Sequence, residues 1–121
     1  LADDELLASI ELPAASAGTR SRYHKVMDRE TWTHAVVSAA VVLEMDQEVC
    51  RSARIVLGGV APIPWRLPEV ERMLTGQRIT EELAAKASEA SVTGALALSK
   101  NAYKIPLTRG VVRRAILEAR G

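Results

Sequence analysis

The chain changes its hydrophobic period once, at Gly58-Gly59, and that change leaves few architectures open. Before the glycines, Val36 to Met45 is strongly apolar and rich in valine. Alanine also suits a helix, but β-branched side chains fit a pleated, half-buried surface, and a polar turn follows. The run therefore predicts a strand. Asp46-Gln47-Glu48 is the turn, and Arg54 to Leu57 is the returning strand of a hairpin. Leu6 to Leu12 alternates loosely and stops at Pro13, which predicts an earlier, first strand. Between them, Ala14 to Arg22 reads as a mobile connection of small and polar residues.

After the glycines the spacing becomes helical. Pro68 suits a first helical position, Val70 and Leu74 share a face, and Gly76 supplies a stop. Thr80 is a good N-cap, with Glu81 and Glu82 in the positive first turn. Leu83, Ala87 and Ala90 then form a narrow apolar stripe. Pro106 opens a last helix, in which Leu107, Val111, Ala115 and Ala119 line one face, widened by Val112 and Ile116. Strands first and helices later argue for an α+β fold rather than βαβ winding. The prediction is a two-layer sandwich, an antiparallel sheet of three to four strands covered on one face by about three helices.

A chain of 121 residues suits one domain. With no Phe and only Trp32, Trp65, Tyr23 and Tyr103 as aromatics, its core must be aliphatic. The net charge of +1 gives no electrostatic reason to expect a nucleic-acid partner or an acidic membrane surface. No apolar run approaches the ~18–20 residues that a bilayer-spanning helix needs, so no membrane insertion is expected. Cys50 is the sole cysteine, forms no internal disulfide and points to a reducing cytoplasm. A start at Leu1 rather than Met suggests a processed product or a piece of a longer polypeptide.

Side-chain chemistry is sparse. His24 and His34 have no carboxylate or thiol at ligand spacing, so neither is assigned a catalytic or metal role. Arg109, Arg113, Arg114 and Arg120, with Glu118 nearby, read as a solvated helix face rather than a phosphate stripe. Gly58, Gly59 and Pro62 specify backbone shape. Trp65 and Arg66 are either an interface anchor or, for Trp65, a cap on the sheet edge. Tyr103 is expected to pack at the start of the last helix.

Several pieces occur in a telling order. They are Leu7-Ala8-Ser9-Ile10-Glu11-Leu12-Pro13, then a polar loop of Tyr23-His24-Lys25 with Asp28-Arg29, then Ala35-Val36-Val37-Ser38-Ala39-Ala40. Gly58 to Arg66 follows, then Asn101-Ala102-Tyr103-Lys104 and Val112-Arg113-Arg114-Ala115. In this order they resemble the C-terminal domain of the FAD-binding (medium) subunit of molybdenum hydroxylases, the CO dehydrogenase flavoprotein and xanthine dehydrogenase family. The resemblance implies that residues 1–121 are a single domain and a fragment of a longer FAD-binding subunit. It also implies that the domain covers a flavin held mainly by N-terminal FAD-binding domains of the same subunit. Partner subunits or domains would carry molybdopterin and the iron–sulfur (2Fe–2S) clusters, and electrons would leave the flavin for an external acceptor.

Carried over by residue, the resemblance places Leu7 against the isoalloxazine ring and Lys25 at the flavin's polar edge. A fixed cation there stabilises the negative charge that reduction puts on the pyrimidine side of the ring. Asp28 and Arg29 resemble a segment lying beside the flavin; equally, they can simply stabilise their own turn. Gly58-Gly59 lacks the spacing of a nucleotide-binding fingerprint, so the chain would be the cover of the site and not its phosphate cradle. No catalytic or metal-ligating residue is expected. The alternative is a non-enzymatic α+β protein-interaction module, with Trp65, Arg66 and the strand edges as its binding surface.

Overall fold

A computed structural model describes residues 1–121. Four strands form an antiparallel meander in the order β1-β2-β3-β4: β1 Thr19–Val26, β2 Val37–Asp46, β3 Val49–Gly58 and β4 Trp65–Arg66. Three helices follow, α1 Pro68–Leu74, α2 Glu81–Ala90 and α3 Lys104–Arg120. α3 lies across β2 and β1, α1 packs on β3, and α2 rests against α3 and α1. The expected α+β sandwich is present.

Alternation along β2 builds the interface between the layers. Val37, Ala39, Val41, Leu43 and Met45 are buried, while Val42 and Glu44 between them are exposed. A period of two sends successive side chains to opposite faces, so a one-residue slip would expose the whole set. On β3 the pairing skips Arg51, since Glu44 faces Ser52 and Met45 faces Cys50. That extra residue is a bulge, and it lets Cys50, Ala53, Ile55 and Leu57 all turn inward. Val111, Val112, Ala115, Ile116 and Ala119 of α3 close the core from the other side.

The local signals at the helices hold. Pro68 occupies the first turn of α1, and Thr80 Oγ1 accepts from Leu83 N–H at 3.1 Å as the cap of α2. Gly76, at φ 77°, lies just beyond α1 in the left-handed region that favours glycine. The stripe on α2 is shifted: Ala84, Ala87 and Ser88 are buried, with Leu83 and Ala90 only partly so. α3 opens at Lys104 rather than Pro106, and Tyr103 is exposed rather than packed.

The N-terminal third differs from expectation. Leu6 to Leu12 forms no strand, and no hydrogen bond joins residues 1–15 to the rest of the chain. Alternating side chains make a strand only where a neighbouring strand accepts the backbone bonds, and here none does. The first strand is instead Thr19–Val26, part of which was expected to be a mobile connection. Tyr23, His24 and Lys25 therefore stand on β1 and not in a loop. The returning strand is also longer than Arg54 to Leu57, with only Gln47 and Glu48 between β2 and β3.

Candidate functional site

β1 pairs with β2 so that Lys25 faces Ser38, and β2 pairs with β3 so that Ser38 faces Gly58. This row lies on the sheet face turned away from the helices, because its neighbours Val37, Ala39 and Leu57 are the buried inward set. A methyl group at Gly58 would meet Ser38 Oγ at 2.5 Å, so the two strands are closely fitted here. The Lys25 ammonium has three N–H donors; one goes to the carbonyl of Thr33 at 3.0 Å.

Thr33 belongs to the loop joining β1 to β2, closed at its base by Val36 N–H donating to Val26 O at 2.8 Å. Within the loop, Thr33 Oγ1 donates to Asp28 Oδ1 at 3.0 Å, and Arg29 donates to the carbonyl of Trp32. Asp28 and Arg29 are therefore both hydrogen-bonded within their own turn. Trp32 is 94% exposed and takes φ 54°, a left-handed value uncommon for a bulky residue. Leu7 is 62% exposed on the unpaired N-terminal segment and shares no hydrogen bond with this loop. Lys25, Asp28 and Arg29 thus meet through one loop, with which Leu7 shares no hydrogen bond.

Behind Lys25, its neighbour His24 points the other way along the strand. His24 Nε2 lies 2.8 Å from Glu118 Oε2 on α3, and Arg114 donates to Glu118 Oε1 at 2.7 Å. The Arg114 hydrogen bond holds the Glu118 carboxyl below its usual range, against a smaller opposing effect of burial, and His24 adds to the lowering. This tie between strand and helix joins residues 94 positions apart, a distance at which no sequence spacing signals it.

Near β4, Lys104 donates to the Gly59 carbonyl at 2.8 Å, alongside a groove of about 220 Å³ lined by Leu57, Trp65, Leu96, Asn101 and Thr108. Trp65 pairs with Leu57 at the sheet edge with its side chain half-exposed, while Arg66 is engaged by Glu71. The arginines of α3 meet acids of α2, Arg109 with Glu89 and Arg113 with Glu81, as a solvated face would. No group of three or more His, Cys, Asp or Glu side chains is arranged to hold a metal ion. Cys50 is buried, and burial pushes its thiol up. No helix is long and apolar enough to cross a membrane.

Residues 22–119 match the family model described as the CO dehydrogenase flavoprotein C-terminal domain, and the chain belongs to that family. It is 30% identical over 118 residues to the aldehyde oxidoreductase FAD-binding subunit PaoB of Escherichia coli (strain K12), covering 96% of this chain and 33% of that protein. The carbon monoxide dehydrogenase medium chain of Hydrogenophaga pseudoflava is 30% identical over 120 residues, covering 96% and 42%. The nicotine 6-hydroxylase medium subunit of Paenarthrobacter nicotinovorans is 28% identical, covering 98% and 42%. The chain thus spans less than half the length of these relatives.

Solved structures share the fold. Carbon monoxide dehydrogenase from Hydrogenophaga pseudoflava, in a form lacking the Mo-pyranopterin moiety of the molybdenum cofactor, superposes with a TM-score of 0.81 at 29% identity. That match covers 89% of this chain and 39% of the other. Quinoline 2-oxidoreductase from Pseudomonas putida 86 gives 0.78 at 27% identity, covering 84% and 37%.

Proposed function

We propose that this chain is the covering domain of the FAD-binding subunit of a molybdenum-dependent hydroxylase or dehydrogenase, with residues 1–121 forming one domain of that longer subunit. Family membership and relatives named as FAD-binding or medium subunits support this reading over a free-standing interaction module. So does the engagement of Arg66, half of that module's proposed anchor, by Glu71.

The donor set suits a flavin edge. Lys25 keeps N–H donors beyond the one spent on Thr33, on the sheet face that carries no helix. The flavin, when bound, supplies the electron store, and its reduction leaves negative charge on the pyrimidine side. Lys25 holds a positive charge toward that side and so favours the reduced form. Leu7 offers apolar surface to the ring face. Phosphate binding falls to the preceding domains, because this chain has no glycine-rich loop opening a helix.

The partners in this proposal are those N-terminal domains and the subunits carrying molybdopterin and iron–sulfur clusters. A cytoplasmic location also belongs to the proposal; Cys50 stays a thiol there, and cell fractionation tests it.

The observation that carries the reading is the presented Lys25 ammonium within a flavoprotein family domain. In the complete subunit, Lys25→Ala is expected to weaken FAD binding and lower the flavin's midpoint potential. Unchanged affinity and potential would remove Lys25 from the site.

A further inference from the structure

We propose that Thr33 is a positioning residue for Lys25, and that Asp28 and Arg29 act on the flavin through it rather than by touching the cofactor. This rests on the reading of Lys25 given above. A lysine side chain has four rotatable bonds, and an exposed one samples many rotamers. Lys25 differs because the Thr33 carbonyl takes one of its N–H groups at 3.0 Å. That carbonyl is itself fixed from two directions. The Thr33 hydroxyl, 3.2 Å from His34 O, makes its shorter contact with Asp28 Oδ1 at 3.0 Å, and the peptide before Thr33 is held where Arg29 donates to Trp32 O.

The backbone at Trp32 shows that the loop is constrained. Left-handed backbone is unfavourable for a large side chain and persists only where surrounding contacts over-determine it. The Trp32 indole supplies none of them, being 94% exposed. The constraint comes from Arg29, Asp28 and the closing bond between Val36 N–H and Val26 O at 2.8 Å. Each acts on the short stretch that presents the Thr33 carbonyl to Lys25. A pre-set cation stabilises developing charge without reorganising when the charge appears.

Thr33→Val removes the hydroxyl and keeps the branched shape, whereas Thr33→Ser keeps the hydroxyl. Both are made in the complete FAD-binding subunit, beside Lys25→Ala and the Lys25→Ala/Thr33→Val double variant. The flavin midpoint potential is measured by spectroelectrochemistry and the unfolding midpoint by circular dichroism. The expected result is a lower potential in Thr33→Val, by less than in Lys25→Ala. Thr33→Ser stays at the wild-type value, and the double variant falls no further than Lys25→Ala alone. A wild-type potential in Thr33→Val beside a lowered one in Lys25→Ala overturns the role of Thr33 and leaves Lys25 in place. No shift in Lys25→Ala overturns both. A Thr33→Val shift that persists undiminished when Lys25 is already alanine also overturns the proposal, since the effect would not run through the lysine.

Discussion

The carboxylate of Glu71, on α1, accepts a hydrogen bond from the backbone N–H of Ile55, on β3, at 2.9 Å. β4 supplies only two residues of pairing, so β3 would otherwise present an unpartnered donor inside the fold. Leu67 N–H completes the substitution by donating to Ile55 O at 3.0 Å. Arg66 then binds both Glu71 oxygens, at 2.7 to 3.1 Å, while the glutamate itself is 4% exposed. A helix side chain thus does the work of a strand.

The pair is unequal, and its variants should rank accordingly. Glu71→Ala strands the Ile55 donor in the interior and is expected to cost about 2–3 kcal/mol of folding stability. Glu71→Gln keeps an acceptor and should cost less. Arg66 is half-exposed and its loss leaves the Ile55 donor paired, so Arg66→Ala should cost less than Glu71→Ala. Urea unfolding of the three variants gives the ranking, and a larger loss from Arg66→Ala than from Glu71→Ala would contradict it.

The same carboxylate sets the acid response. Burial pushes Glu71 up, but hydrogen bonds from Arg66 and Ile55 N–H and the charges of Arg66 and Arg54 together hold it below its ordinary value. A carboxyl depressed in the folded state adds stability that is complete above the ordinary glutamate value of about 4.3. That contribution is lost as pH falls through the lower, folded value. Stability should therefore decline with acidification below about pH 4.3, and more gently in Glu71→Gln. Unfolding free energies measured across pH 6 to 2.5 check this. Parallel curves for the two proteins would assign the acid response elsewhere, with Glu118, also lowered, as the next group to test.

Some of this was legible in the residues and some was not, for physical reasons. Val37 to Met45 has the period of its strand because one face is buried, and Pro68 and Thr80 act locally, so both could be read. β1 was missed because an edge strand is mostly polar: from Thr19 to Val26, only Tyr23 and Val26 are apolar in body. Leu6 to Leu12 misled because alternation alone makes no strand where no neighbouring strand accepts the backbone bonds. Lys25, Asp28 and Arg29 are proposed on family likeness, and periodicity marks none of them. Thr33, which meets two of them, carries no signal of its own, since its part is played by a carbonyl and a hydroxyl.

Gly58-Gly59 was read as backbone shape, and Gly59 tests that reading sharply. It sits at φ 76°, and a methyl there would come within 2.8 Å of the Ala35 and Val36 carbonyls at the end of the β1–β2 loop. Neither backbone atom can move without disturbing the entry to β2. Gly59→Ala should therefore destabilise by about 1–3 kcal/mol. Gly76→Ala shares the positive φ but meets nothing within 4 Å, so it should cost less. Equal losses, by thermal or urea unfolding, would show that conformation alone matters and the close approach does not.

The N-terminal segment provides the last test. Leu1, Leu6, Leu7, Ile10 and Leu12 are all strongly exposed, and residues 1–15 share no hydrogen bond with the body of the fold. Removing residues 1–15 should leave the unfolding free energy of this chain within about 0.5 kcal/mol of the original, the range of surface changes that touch nothing buried. The segment should also be cut first by a broad-specificity protease, with cleavage stopping near Gly18. There the chain enters the fold, since Gly18 O accepts from Met45 N–H at 2.9 Å and a methyl on Gly18 would lie 2.1 Å from Met45 O. In the complete subunit the expectation reverses. If Leu7 meets the flavin ring, bound FAD should protect this segment from the protease, and Leu7→Ala should remove part of that protection. Equal cleavage with and without FAD would take Leu7 out of the site while leaving the Lys25 assignment to stand on its own test.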